Sequence, residues 1–298
     1  MARRRRGRNI HGWVVLDKPL GLSSTQALSR VRRLLDAAKA GHGGTLDPLA
    51  SGVLPIALGE ATKCVSYAFD GRKQYEFTLR WGQETTTGDG EGDIAAESAH
   101  RPGTDEILAV LPRFIGEIGQ HPPAYSAIRI GGRRAYELAR AGQAPEMALR
   151  RVMIHDLRLV DCPDPDHARF SVACGKGTYI RSLGQDIARA LGTCGHLRAL
   201  RRVRVGPFSA DDAISLEKLE TLCHMSAADE CILPLQTALA DIPALAVNEA
   251  EAGRLKHGQP VGTHHRTNET VCVLHGERPV AIARVEAGSI RPVRVFNI

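Results

Sequence analysis

The sequence has no run approaching the roughly 20 consecutive apolar residues that a membrane-spanning helix needs, so no helical membrane span is expected. It has no C-x-x-C pair either. Its seven cysteines (Cys64, Cys162, Cys174, Cys194, Cys223, Cys231 and Cys272) are scattered and odd in number, which argues against a disulfide framework and for buried reduced thiols. Cys223, His224 and Cys231 lie near one another along the chain, but a tetrahedral metal site needs a fourth ligand at matching spacing, and none is apparent. Internal repeats and low-complexity linkers are also missing. An arginine-rich start is followed by NIHGWVVLDKP, whose apolar core is shorter than a secretory h-region, so the expected location is the cytoplasm.

What the chain does have is positive charge. Its 39 Lys and Arg against 33 Asp and Glu give a net +6, a balance that suits a polyanionic partner without requiring one. Arginine is clustered: RRRR at 3–6, Arg30 with Arg32 and Arg33, Arg133 with Arg134, Arg150 with Arg151, and RALRRVR at 198–204. A guanidinium presents a planar fork of donors that fits phosphate and stacks on bases, so the choice of arginine over lysine leans toward nucleic acid. Each pair taken singly also fits a solvated helix or strand face. With 298 residues, 43% hydrophobic and 24% charged, the chain is an ordinary globular protein with room for one large domain and a small one.

Residues 10–17, IHGWVVLD, are β-branched and apolar enough for a buried strand, closed by the turn signals Lys18-Pro19 and Gly21. Ser23 and Gln26 form an S-x-x-Q capping box that opens a helix with Leu28, Val31, Leu34, Leu35 and Ala38 on its apolar face. Further strands are expected at 53–58, 73–82, 150–160, 168–174 and near 201–205. Helices are expected at 60–69, at 104–115, within GGRRAYELARAG with Gly142 as its stop, and at 179–191. QETTTGDGEGD, 83–93, reads as a mobile loop, and two prolines keep HPPAYSAIRIGG extended. After about residue 235, the pieces TVCVLH, PVAIARVEA and RPVRVFNI between Gly, Asn and Pro signals indicate a small β-rich second domain. Runs of strands interrupted by single helices give an α+β (mixed α/β) protein rather than regular βαβ repetition. The expected division is a basic tail at 1–9, a large domain at 10–235 and the β-rich domain at 243–298.

Residues 41–52, GHGGTLDPLASG, crowd Gly41, Gly43, Gly44 and Gly52 around one carboxylate, Asp47. Pro48 pushes Asp47 away from the α region, and the glycines accept angles that other residues avoid. The stretch therefore reads as a shaped loop presenting a single acid. Taken alone, it also fits an ordinary Gly/Pro turn with Asp as its polar resident.

GHGGTLDPLASGVLPIALGEATK, KQYEF, PPAYSAIRIGGRRAYELAR, GKGTYIRSLGQDIARALG and HLRALRRVRVGPF occur in this order, and together they resemble the bacterial tRNA pseudouridine synthase B family. That family isomerises uridine in the T-arm of tRNA. The likeness runs from about residue 10 to residue 210, and the last segment resembles the family's small PUA-type C-terminal domain. The fold implied is a pseudouridine synthase catalytic domain, with a central, largely antiparallel sheet flanked by helices, plus a small β-rich PUA-type domain. The reaction implied moves C1′ from N1 to C5 of uracil without redox change, so neither a cofactor nor a metal is expected. By the same resemblance Asp47 is the catalytic carboxylate, either a nucleophile toward the sugar or a base, and Arg181 of GTYIRS is its partner.

The resemblance also makes Tyr75 the base-stacking tyrosine, with a second role open to it as proton acceptor at C5. Tyr179 is a second substrate-contacting tyrosine, Leu200 an apolar substrate contact, and His42 the residue that enters the RNA arm near the vacated base. Arg198, Arg201 and Arg202 are available to phosphates. Lys176 is either a phosphate contact or solvated, and Lys18 and Pro19 either shape the pocket floor or form a plain strand-end turn. With aromatics only 4% of the chain, few other rings could stack on a base; Tyr125 and Tyr136 fit core or interface packing. One departure stands out: the family commonly has Thr after the His, where this chain has Gly43, and altered loop flexibility is expected.

The target base lies inside a folded arm, so exposing it costs a few kcal/mol that the pocket must recover. The expected partner is tRNA, gripped at the T-arm by the large domain and at the acceptor end by residues 243–298. No membrane and no obligate protein partner is expected. Two other readings remain: a non-catalytic tRNA-folding factor using the same surface, and a guide-RNA-dependent relative acting on ribosomal RNA. The bacterial-type C-terminal segment counts against the latter.

Overall fold

A computed structural model describes residues 7–69, 71–143, 145–265 and 268–298. The RRRR run at 3–6 and most of the expected basic tail therefore lie outside the described residues. Strand β1 (Gly12–Lys18) is buried along nearly its whole length, as its unbroken WVVL run demands. Helix α1 (Ser24–Leu34) opens on the expected capping box: the Gln26 N–H donates to Ser23 Oγ at 3.2 Å and the Ser23 N–H to Gln26 Oε1 at 2.9 Å. Then come β2 (Ala40–His42), β3 (Ala50–Leu58), a 3-10 turn at Gly59–Lys63, α2 (Val65–Phe69) and β4 (Lys73–Trp81). Strand β4 keeps a period of two, with Lys73, Tyr75, Phe77, Leu79 and Trp81 turned inward and Gln74, Glu76 and Arg80 exposed.

The stretch expected as a mobile loop is instead a hairpin, β5 (Gln83–Thr85) paired with β6 (Ile94–Glu97). Its order comes from side chains rather than apolar burial: Asp89 Oδ1 accepts from Thr87 Oγ1 at 2.6 Å and from the Glu91 N–H at 3.1 Å. Helix α3 (Thr104–Val110) and β7 (Gly116–Gln120) follow, then the short pair β8 (Arg129–Ile130) and β9 (Arg133–Arg134), then α4 (Ala135–Arg140). Strands β10 (Arg150–Asp164) and β11 (His167–Cys174), helix α5 (Ile180–Ala190), β12 (Gly195–Val205) and β13 (Phe208–Ser209) complete the large unit. Strand β12 starts earlier than expected because a bulge between Leu197 and Ala199 breaks its alternation.

The described strands build a nine-stranded sheet in the order β1-β3-β12-β4-β11-β10-β7, with β2 beside β3 and β13 beside β12. All its pairings are antiparallel except β3 with β12, so the sheet is largely antiparallel as expected. A second, five-stranded sheet follows, formed by β14 (Ala244–Ala246), β15 (Val261–Gly262), β16 (Thr270–His275), β17 (Arg278–Glu286) and β18 (Ser289–Val295). Two helices were not expected from the sequence: α6 (Leu216–His224) and α7 (Glu249–Lys256). An Asn248–Glu251 capping box opens α7, a signal present in the sequence that its weak apolar face, Ala252 and Leu255, does not reinforce.

The two sheets share an apolar cluster in which Trp13, Val53 and Phe208 meet Leu235, Cys272, Ile282 and Phe296. Polar contacts bracket it. Trp13 Nε1 donates to the Leu235 carbonyl at 3.0 Å, Lys63 Nζ to the Val295 carbonyl at 2.6 Å, and the Asn297 N–H to Glu60 Oε2 at 2.8 Å. Burial pushes the thiol of Cys64 up to about 12, and those of Cys174 and Cys272 to about 11, so none carries reactive thiolate near neutrality. In an alkylation time course read by mass spectrometry, exposed Cys162 should be labelled promptly and these three only after unfolding. Prompt labelling of Cys64 in the native protein would contradict the packing.

Candidate active site

The loop between β2 and β3 carries Asp47, and it is clamped to the start of α1. Ser24, buried at the first turn of that helix, donates its Oγ to the Leu46 carbonyl at 2.9 Å and accepts the Leu46 N–H at 2.8 Å. The Gly21 N–H donates to the Pro48 carbonyl at 2.9 Å, and the Ala50 N–H to the Asp47 carbonyl at 3.0 Å. On the strand that follows, Gly52 has φ +99°, and a Cβ there would lie 2.2 Å from the Arg202 carbonyl. Only glycine lets β3 lie this close to β12.

Arg181, near the start of α5, is 5% exposed. Its Nη2 lies 3.0 Å from Asp47 Oδ2 and donates to the Tyr125 carbonyl at 2.8 Å. Its Nη1 donates to the Thr87 carbonyl at 2.9 Å and lies 3.7 Å from Asp89 Oδ2. A buried cation is tolerable only when paired and hydrogen-bonded, and two carboxylates and two carbonyls supply this here. Asp89 is itself buried, whereas the Asp47 side chain remains 43% exposed. The arginine is thus fixed from behind, and the acid it holds faces outward.

A cavity of about 290 Å³ is lined by Asp47, Tyr75, Tyr179, Arg181, Leu200 and Arg202, among others. The β12–β4 register puts Leu200 opposite Phe77 and Arg202 opposite Tyr75. Burial raises the pKa of the Tyr75 phenol, with Arg202 pulling the other way, so the ring is protonated and neutral. Burial likewise raises that of Tyr179. The backbone of Tyr179 is fixed by Gln120, whose Oε1 accepts the Tyr179 N–H at 2.8 Å while its Nε2 donates to the Tyr179 carbonyl at 3.1 Å. A second cavity of about 640 Å³ also borders Asp47 and Arg181 and takes in Asp89, Tyr125, Tyr136 and Arg140. Tyr125 and Tyr136 are therefore cavity-lining residues and not merely packing ones.

The structure brings five of the six expected site residues, Asp47, Tyr75, Tyr179, Arg181 and Leu200, into one cavity. His42 stands at the end of β2, outside that lining. Its Nδ1 is buried without a hydrogen-bond partner among the described residues, and burial, reinforced by Arg202, lowers its pKa toward the neutral imidazole. Two arginines expected to face phosphates do not do so freely. Strand alternation turns Arg202 inward, where it is 1% exposed and donates Nε to the Val53 carbonyl at 2.8 Å, and Arg201 forms a two-pronged pair with Asp17 at 2.9 and 2.8 Å. Ser24, Asp89 and Gln120 were missed; of these, the Asx-type turn pattern around Asp89 was the one available signal. No group of three or more His, Cys, Asp or Glu side chains among the described residues is placed to hold a metal ion.

Residues 32–180 match the family model described as TruB family pseudouridylate synthase (N terminal domain), and residues 181–240 that of the tRNA pseudouridylate synthase B C-terminal domain. The two matches meet inside α5, between Ile180 and Arg181, and not at a boundary between sheets. The chain is 51% identical over 308 residues to the tRNA pseudouridine synthase B of Rhodospirillum rubrum, covering 100% of both. It is 55% identical over 304 residues to that of Bradyrhizobium diazoefficiens, covering 99% of this chain and 88% of the relative. A chain in the crystal structure of a Cbf5-Nop10-Gar1 complex superposes with a TM-score of 0.76 at 26% identity, over 96% of this chain and 85% of that one.

Lys18 is fully buried, donating Nζ to the carbonyls of Pro19 at 2.9 Å and Leu22 at 2.7 Å, so it fixes the turn between β1 and α1. Burial brings its pKa down from 10.5 to about 8, with Asp47 partly restoring it. The folded protein then binds fewer protons than the unfolded chain between these values, and this residue adds stability as pH rises through that window. The difference in unfolding free energy between wild type and Lys18→Met should grow in favour of wild type from pH 8 to 10.5. A pH-independent difference in denaturant titrations would contradict the burial of its charge.

Proposed function

The chain belongs to the TruB family of pseudouridylate synthases, and from that premise we propose that it isomerises the uridine at position 55, in the T-loop of tRNA, without a cofactor. The observation that carries the reading is Asp47, a half-exposed carboxylate aimed by a buried arginine into a cavity that also holds a tyrosine ring and an apolar wall. The base leaves its stack at a cost of a few kcal/mol. Stacking on the Tyr75 face recovers roughly 1 to 3 kcal/mol of that.

The bond from C1′ to N1 then breaks with its electron pair on the uracil, the base turns, and C1′ joins C5. C5 loses a proton and N1 gains one, so atoms and electrons balance without an external group. Asp47 serves this either by adding to C1′ or by taking a proton from the sugar, and Arg181 holds it in place for both. Tyr75 is protonated, so of the two roles implied for it, stacking is the one its state favours. The neutral ring of His42 suits insertion into the RNA arm.

Residues 243–298 would act as a PUA-type module on the acceptor end of tRNA, with the large domain on the T-arm and the work done in the cytoplasm. Phosphate contacts should make binding fall with salt. Purified protein incubated with an unmodified tRNA transcript should form pseudouridine at the T-loop uridine, and no product there would overturn the reading. Asp47→Asn should lower the rate roughly a thousandfold or more while leaving tRNA binding within a few-fold. Substantial conversion by that variant would overturn the role given to Asp47, whereas a non-catalytic folding factor would bind tRNA and yield no pseudouridine even as wild type.

A further inference from the structure

Phe69, the last residue of α2, has no place in the chemistry above, yet its ring lies against the Asp47 loop. A Cβ added at Gly43 would fall 2.2 Å from Cδ2 and 2.4 Å from Cε2 of that ring, and one at Gly44 would fall 3.1 Å from Cδ1. Opposite edges of the ring therefore face consecutive residues, so the ring covers the peptide between them. Gly44 has φ +67° and is also approached by Arg202 Nη1, 3.1 Å from the same Cβ position, and Arg202 is anchored through Nε to Val53.

Other contacts hold the loop on either side of these glycines. His42 pairs with Ile56 of β3, and Leu46 is held by Ser24. Phe69 and Arg202 supply the restraint between them, at the two glycines that separate His42 from the segment leading to Asp47. Phe69 is itself held: its carbonyl accepts from Lys73 Nζ at 2.9 Å, and its side chain packs against the cluster that joins the two sheets, whose members include Phe208 and Phe296.

We propose that Phe69 is a positioning residue for the isomerisation: its ring, admitted only because residue 43 has no side chain, holds His42 and Asp47 in register and ties them to the packing of the C-terminal sheet. The inference rests on the proposed function, and it reverses the sense of the Gly43 departure. The missing side chain makes room for a ring that covers the loop.

The test uses full-length protein and a tRNA transcript, with single-turnover rate, tRNA affinity and melting temperature measured on each variant. Displacement of reacting groups by an ångström costs up to about a hundredfold in rate, so Phe69→Ala should lose roughly tenfold to a hundredfold in rate, with affinity changed far less. Gly43→Ala, which drives a methyl into the ring, should show a comparable loss, and Gly43→Ala combined with Phe69→Leu should recover most of it. A wild-type rate for Phe69→Ala, or a double variant no better than Gly43→Ala, would overturn the proposal. Should Phe69→Ala not fold, the comparison of Gly43→Ala with the double variant decides by the same criterion. Wild-type protein that makes no pseudouridine would instead count against the proposed function itself.

Discussion

The site depends on the burial of one guanidinium. Arg181 has almost no contact with solvent, and a cation in that position must be matched on every side. The four matching groups come from three separate parts of the chain: Asp47 from the glycine loop, Thr87 and Asp89 from the β5–β6 hairpin, and Tyr125 from the segment before α4. Each of those segments is thereby fixed relative to the start of α5. The helix start is fixed in turn, by Gln120 on the Tyr179 backbone and by Ser182 Oγ donating to the His121 carbonyl at 2.7 Å. The outward-facing carboxylate of Asp47 follows from this arrangement rather than from anything local to its own turn.

Strand order supplies the rest of the cavity. Placing β12 between β3 and β4 sets Leu200 and Arg202 beside Tyr75 and beside the glycine loop at once. That position is open only because Gly52 accepts a positive φ against the Arg202 carbonyl. The cluster around Trp13 and Phe296 then joins the C-terminal sheet to the reverse side of β1 and β3, and α2, which carries Phe69, lies at the junction. The Asp47 loop and the second sheet are therefore neighbours through one short helix.

Much of this was legible in the sequence because its signals are local. The capping box of α1, the alternation of KQYEFTLRW and the loop acid behind Pro48 each follow from a few adjacent residues, and the ordered motifs pointed to Asp47, Tyr75 and Arg181 together. What was not legible depends on partners distant in the chain. Asp89 sits in a run of glycines and acids that looked like a mobile loop, and it becomes a buried counter-ion only once α5 brings Arg181 to it. Arg202 looked like one more phosphate-facing arginine, until strand alternation and a neighbouring bulge turned it inward. Gly43 looked like a loosened loop because the ring that occupies its space is 26 residues further on.

The measurement closest to the central claim is the single-turnover rate of pseudouridine formation by Arg181→Lys, set beside its affinity for tRNA. Lysine keeps the buried charge between Asp47 and Asp89 but cannot reproduce the planar fork that reaches Thr87, Tyr125 and Asp47 together. If the guanidinium aims the carboxylate, the rate should fall about a hundredfold or more with tRNA bound nearly as tightly as by wild type. A rate close to wild type, or an affinity that falls in step with the rate, would contradict the account.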